Sequence, residues 1–118
     1  MQYLLLIYHP ETEWAQTDHV SKETIYREYR DLVQQLSQQG KFVSGDQLRP
    51  AETATLVRVR NGRTATTDGP FAETKEQLGG YFLIDVGSLD EAVAIAAKIP
   101  SARMGAVEVR EVMPRQQV

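Results

Sequence analysis

Residues 3–8, Tyr3-Leu4-Leu5-Leu6-Ile7-Tyr8, form a nearly continuous apolar run closed by His9-Pro10. A run this short and this uniformly apolar suits a central strand covered on both faces better than a helix. A second run of the same kind, Tyr81-Phe82-Leu83-Ile84-Asp85-Val86, follows Gly79-Gly80, which reads as the point where the chain is released into that strand. In both runs the side chains point two ways. Leu4 and Leu6 oppose Leu5 and Ile7, and Phe82 and Ile84 oppose Tyr81 and Leu83. Asp85 shares the face of Tyr81 and Leu83 and is expected at the strand's wet end.

Between these strands, residues 21–39 place Ile25, Tyr26, Tyr29, Leu32, Val33 and Leu36 on one helical stripe, with charged and amide side chains opposite. Asp18 or Ser21 is a candidate cap at the start, and Gly40 closes the helix. Residues 41–47 read as a strand anchored by Phe42. Residues 53–60 and 63–67 flank Asn61-Gly62, the signature of a two-residue hairpin turn, and the charged residues beside Leu56 leave one face of this hairpin in water. Ser88-Leu89-Asp90-Glu91 is a capping box opening a helix that stops at Pro100. Residues 106–113 alternate Val107 and Val109 with Glu108 and Arg110, as a half-buried strand does.

Without the hairpin the order is strand, helix, strand, strand, helix, strand. This is the split βαβ arrangement of an α+β, ferredoxin-like sandwich, here with an inserted β-hairpin. Helices cover only one face of such a sheet, yet the two central strands are apolar on both. A second copy packed sheet to sheet is the economical cover, so the expectation is a homodimer forming a joint, dimeric α+β barrel, with higher assembly left open.

Composition narrows the function classes. The chain has 118 residues, 42% hydrophobic and 25% charged, with no cysteine and a formal net charge of −3, which fits one domain spanning 1–118 with a core of its own. Disulfide scaffolds, zinc ribbons and thiol nucleophiles are excluded. Residues 1–59 carry 6 basic and 8 acidic side chains and residues 60–118 carry 7 and 8, so neither half offers a basic surface for direct nucleic-acid contact. The longest apolar run is far below the roughly 20 residues of a membrane span, and no basic segment precedes it as in a signal peptide. A cytoplasmic protein without a membrane partner is expected.

The least ordinary segment is residues 67–80, Thr-Asp-Gly-Pro-Phe-Ala-Glu-Thr-Lys-Glu-Gln-Leu-Gly-Gly. Its plainer reading is a demanding turn, in which Gly69 is pushed to extended geometry by the following proline, Pro70 fixes the exit and Phe71 plugs the core. The sharper reading makes Asp68 a carboxylate at the mouth of a cleft and a candidate acid–base catalyst, with Glu73, Lys75 and Glu76 as a charged rim and Phe71 against the ligand. For Lys75 an ion pair with Glu73 or Asp68 is the plainer role.

On Asp68-Gly69-Pro70-Phe71-Ala72-Glu73-Thr74-Lys75-Glu76, Gly79-Gly80-Tyr81, the opening strand, Ile99-Pro100 and Val107 to Arg110, the chain resembles the DGPF branch of the YCII-related proteins over nearly its whole length. The resemblance implies a dimeric α+β barrel but no settled reaction. It also implies a link to extracytoplasmic-function sigma factors, beside which family members are often encoded, and one relative is associated with chlorinated-aromatic breakdown. The other branch carries a histidine on its first helix and an acid beside the proline after its second. Those positions fall on Tyr29 and Ile99 here, so that pair is not carried over. Tyr29 stays a candidate hydrogen-bond donor into a pocket, with packing on the helix stripe as its plainer role.

His9, after a central strand, is a candidate ligand-binding group, its plainer role being an exposed strand end. No metal-ligand spacing links it to His19, and no metal or cofactor is expected. Trp14, in what reads as a polar loop from Glu11 to Asp18, is either a lid or a staple onto the following helix. Arg103 is a candidate anion holder, or a partner for Glu108. Two functions stay open. One is a small-molecule binder, or a cofactor-free lyase- or isomerase-type acid–base enzyme, taking a small organic or aromatic ligand near Asp68. The other is a non-catalytic interaction module, for example one partnering a sigma factor, docking through residues 73–77.

Overall fold

A computed structural model describes residues 1–115. Its centre is a four-stranded sheet of β1 (Gln2–His9), β2 (Phe42–Gln47), β5 (Gln77–Asp85) and β6 (Ala106–Glu111) in the order β2-β5-β1-β6, every neighbouring pair antiparallel. With the helices α1 (Glu11–Gln16), α2 (His19–Gln38) and α3 (Leu89–Ala96) this is an α+β architecture compatible with a ferredoxin-like fold. The two apolar runs are indeed the central strands, paired Leu5 to Phe82 and Tyr3 to Ile84.

One face of the sheet carries the core. Tyr3, Leu5 and Ile7 of β1 and Phe82 and Ile84 of β5 are buried against Leu32 and Leu36 of α2, and Ala92, Ile95 and Ala96 of α3 close the same layer. Leu5, Ile84 and Ile99 lose all exposure, each such side chain contributing about 1.5–3 kcal/mol of transfer free energy. The opposite face presents Leu4 beside Leu83 and Leu6 beside Tyr81, all four only half-buried.

Local chemistry sets the helix ends. Asp18 is the cap of α2, its carboxylate accepting from the Ser21 amide at 2.7 Å and the Ser21 hydroxyl at 3.0 Å. At α3 the Ser88 hydroxyl accepts from the Glu91 amide at 3.2 Å, but Glu91 reaches back to the amide of Gly87, not that of Ser88, and also pairs with Lys41 at 2.8 Å. After α3 the chain turns at Ile99, and Pro100 opens a 3₁₀ turn, Pro100–Arg103.

Three local expectations need correction. Residues 11–16 are a helix and not a loop, too short for periodicity to show. Gly79 and Gly80 lie inside β5 instead of ahead of it, because neighbours come too close for a side chain: a Cβ on Gly80 would meet the Asp46 carbonyl at 2.9 Å. In the segment between β2 and β5, β3 (Thr55–Arg60) and β4 (Arg63–Asp68) pair about Asn61 and Gly62, whose φ angles of 53° and 74° belong to the mirror-image hairpin turn. This ladder is exposed on both faces, with only Leu56 half-buried and Val57 and Val59 open to solvent. It forms its own two-stranded sheet, and the molecule's radius of gyration, 16.3 Å, exceeds the roughly 13.5 Å of a compact chain this long.

Candidate functional site

The helix α2 does not seal against the sheet along its whole length. Between its middle turns and the end of the sheet where β1 finishes lies a cavity of about 430 Å³. Two rows of α2 side chains line it at four-residue spacing. Ile25, Tyr29 and Val33 are half-buried, and Tyr26, Arg30 and Gln34 are exposed at the rim. The sheet contributes Ile7, His9 and Phe82, together with residues 45–47 of β2 and Gly79 and Gly80 of β5. Trp14 of α1 closes one side. Its ring meets Tyr26 edge to face at 5.6 Å, stands 6.1 Å from His9, and carries the Lys22 ammonium 5.2 Å from its centroid. Trp14 is thus stapled onto α2 and is a cavity wall as well. Tyr29 stands edge-on to Phe82 at 6.1 Å, so with His9, Trp14 and Tyr26 five rings stand around the enclosure.

The polar groups are few. His9 is half-buried, and burial holds its imidazole below its ordinary value, with Glu11 pulling weakly the other way. At neutral pH the ring is therefore uncharged, offering one donor and one acceptor nitrogen. It lies against β5 where residue 79 has no side chain: a Cβ there would be 2.2 Å from Cε1. The Tyr29 hydroxyl meets the Ser101 hydroxyl at 2.6 Å, and Ser101 is itself buried. Burial raises the Tyr29 phenol, outweighing the hydrogen bonds from Ser101 and the nearby Arg103 charge, so it stays protonated at neutral pH. At the rim, Gln47 Nε2 donates to the Tyr26 hydroxyl at 3.3 Å. The enclosure is an apolar, aromatic box with one neutral base and one hydroxyl pair, edged by the polar side chains of Tyr26, Arg30, Gln34 and Gln47.

Of the residues singled out in the sequence, the cavity brings together His9, Tyr29 and Trp14. Arg103 is exposed and gives both of its contacts to the Glu28 carboxylate, at 3.1 and 2.9 Å, instead of to Glu108, which meets the Tyr8 hydroxyl at 3.4 Å and pairs with Arg110. Asp68 ends β4 opposite Thr55, exposed, and lines neither this cavity nor its neighbour. Phe71 does not plug the core: it is 76% exposed, with the Arg58 guanidinium 5.6 Å over its ring. With Pro70, Leu48 and Leu78 it borders a second cavity of about 600 Å³. Glu73 and Lys75 are exposed, and among the described residues no ion pair joins Lys75 to Glu73 or Asp68. Gly69 takes φ 102° in place of the extended geometry expected before proline, and its amide donates to the Ala54 carbonyl at 2.7 Å, closing the base of the hairpin. Asp85 is both exposed at the end of β5, as its wet-end reading has it, and paired, its carboxylate accepting from the Met1 ammonium at 3.0 Å.

Arg30, Ser101 and Gln47 were not legible as site residues. The available signal was Gly45, Gly79 and Gly80, three glycines on adjacent strands where bulk would be expected. A Cβ on Gly45 would meet Phe82 Cδ1 at 2.8 Å, as one on Gly79 would meet His9. Glycines inside strands mark close approach, and here two of them make room for rings that line the cavity. Among the described residues no group of three or more His, Asp or Glu side chains is placed to hold a metal ion, and no helix is long and apolar enough to cross a membrane.

The chain is 37% identical over 112 residues to an uncharacterised protein of Rhizobium meliloti (strain 1021), an alignment covering 93% of this chain and 90% of that relative. It matches the family described as the YCII-related domain over residues 1–116, which takes in the whole sheet, the three helices and every wall of the cavity. The chain belongs to the YCII-related family.

Proposed function

We propose that the protein binds a small, mainly apolar organic molecule, aromatic in preference, in the cavity between α2 and the sheet, and that His9 and Tyr29 are the groups it meets there. The observation that carries this reading is the joint presence of His9, Tyr29 and three further rings around one enclosure of about 430 Å³. A neutral imidazole can take up a proton, and a neutral phenol can donate a hydrogen bond to a developing oxyanion. The pair therefore suits proton transfer on such a ligand as well as binding it. The acid–base role moves from Asp68, which is exposed on the hairpin, to His9. A thermal-shift screen of phenols and aromatic acids tests the reading, since a ligand of the folded state raises the melting temperature by mass action. Stabilisation of the wild type that is lost in Val33→Trp, which fills the cavity, supports it; stabilisation that persists in that variant contradicts it.

The proposal includes a homodimer in which two copies join the open faces of their sheets into a dimeric α+β barrel, with the hairpin as an insertion into that frame. It is supported by the half-buried Leu4, Leu6, Tyr81 and Leu83 on a face that no helix covers. Light scattering on eluting protein tests it. Leu6→Lys should turn a dimer into a monomer, and a monomeric wild type at micromolar concentration would contradict the proposal.

A second reading rests on the exposure of Phe71, Glu73 and Lys75, which suits a docking surface for a protein partner such as a sigma factor. Pull-downs with wild type and Glu73→Lys/Lys75→Glu separate the two readings; equal recovery of the partner counts against docking.

A further inference from the structure

We propose that the ligand of the α2 cavity is an aromatic carboxylate, its ring enclosed between Trp14, Tyr29 and Phe82 and its acid group held at the rim by the Arg30 guanidinium. This rests on the reading that the cavity binds a small organic molecule and adds the chemistry of its head group.

The rim is built from donors. Tyr26, Arg30 and Gln34 follow one another at four-residue spacing on α2, so a hydroxyl, a guanidinium and an amide stand in one row along the opening. The Tyr26 oxygen already accepts from Gln47, which leaves its proton free to donate. Arg30 brings a planar fork of N–H groups and, among the described residues, has no carboxylate within ion-pair distance. Nearby cations are committed elsewhere, Arg103 to Glu28 and Lys22 to the Trp14 ring. One acid, Asp46, belongs to the lining, but its carboxylate takes the Tyr81 hydroxyl at 3.4 Å. Tyr81 alternates with Phe82 along β5, so this contact lies on the sheet face opposite the cavity. What faces the opening is thus a row of donors with one unpaired positive charge.

A carboxylate is an acceptor-only group whose two oxygens match the guanidinium fork. Deeper in, the walls are rings, and the neutral His9 brings no second positive charge. An acid group at the rim with a planar apolar body inside satisfies both halves. A cationic ligand would meet Arg30 with like charge, and a wholly neutral one would offer the guanidinium no charge to pair with.

The test uses the purified full chain and titration calorimetry with benzoate, phenylacetate and 2-naphthoate, each beside its primary amide, on wild type, Arg30→Gln and Val33→Trp. Arg30 is exposed on a helix, and near-ultraviolet circular dichroism checks that its variant keeps the native fold. The proposal expects the acids to bind at least about tenfold more tightly than their amides. It expects Arg30→Gln to abolish that difference, weakening the acids far more than the amides, whose carbonyl loses only an uncharged acceptor contact. Amides binding as tightly as acids, or Arg30→Gln weakening both alike, would overturn the carboxylate assignment and leave the cavity reading standing. If no compound binds, or if binding survives Val33→Trp, both fall together.

Discussion

The imidazole of His9 occupies the space that a side chain at position 79 would need: a Cβ on Gly79 would stand 2.2 Å from its Cε1. Gly79→Ala therefore forces the ring to move, at a cost of about 1–3 kcal/mol in stability. Urea denaturation should show this loss in Gly79→Ala, and adding His9→Ala should remove most of it, because the obstructing ring is then gone. Equal losses in the presence and absence of His9 would mean that strand geometry, and not the seat of the imidazole, requires the glycine.

The Tyr29 and Ser101 hydroxyls form a 2.6 Å contact beside the cavity. Tyr29→Phe leaves the buried Ser101 hydroxyl without that partner and should destabilise the protein by about 1–2 kcal/mol. In a double-mutant cycle Ser101→Ala should recover part of the loss, since both polar groups are then gone. Additive losses would show that the contact carries no coupling.

Burial depresses the His9 pKa in the folded state below its ordinary value of about 6.5. The folded form then holds the neutral ring preferentially, so its full stability is present above pH 6.5. As pH falls below that value, the unfolded chain takes up a proton that the folded one resists, and stability declines until the folded pKa is passed. Asp18 and Glu91, whose pKa values are also lowered, lose their contribution in the carboxylate range below. Melting temperatures from pH 8 to pH 5 should fall in the wild type and flatten over that interval in His9→Gln; parallel curves would contradict the assignment.

Phe71 is 76% exposed and Gly69 has φ 102°, so the two should respond in opposite ways to alanine. Phe71→Ala should change folding stability by no more than about 0.5 kcal/mol. Gly69→Ala places a Cβ in backbone geometry that side chains rarely adopt and should cost about 1–2 kcal/mol. Thermal denaturation of both variants decides, and a large loss at Phe71 would mean that its ring is covered.

The fold was legible because its signals are local. Residues 3–8 and 81–86 carry a strand's composition, residues 21–39 carry a helix's spacing, and Asn61-Gly62 and Ser88 to Glu91 announce a turn and a cap. The cavity was legible only in fragments. His9 and Trp14, Tyr29, and Ser101 come from separate stretches of the chain, and only the packing of α2 and of residues 100–103 against the sheet brings them together. From Asp68 to Glu76 nine distinctive residues stand consecutively, yet a dense motif reports a demanding backbone as readily as a site. Gly69, at the hairpin base and bonded to Ala54, is the physical reason for part of that density. Gly79 and Gly80 were read as chain punctuation because glycine usually breaks strands. Their actual cause, a ring and a carbonyl pressed against the backbone, is a tertiary contact that no local pattern records.

Aromatic-region proton–carbon NMR of the protein titrated with phenylacetate is the decisive check on the proposal that ligand enters between α2 and the sheet. Saturable shifts of the His9 Cε1–H, Tyr29 and Phe82 ring signals are expected, with Phe71 unmoved. Shifts confined to Phe71 while the His9 and Tyr29 signals stay still would contradict it.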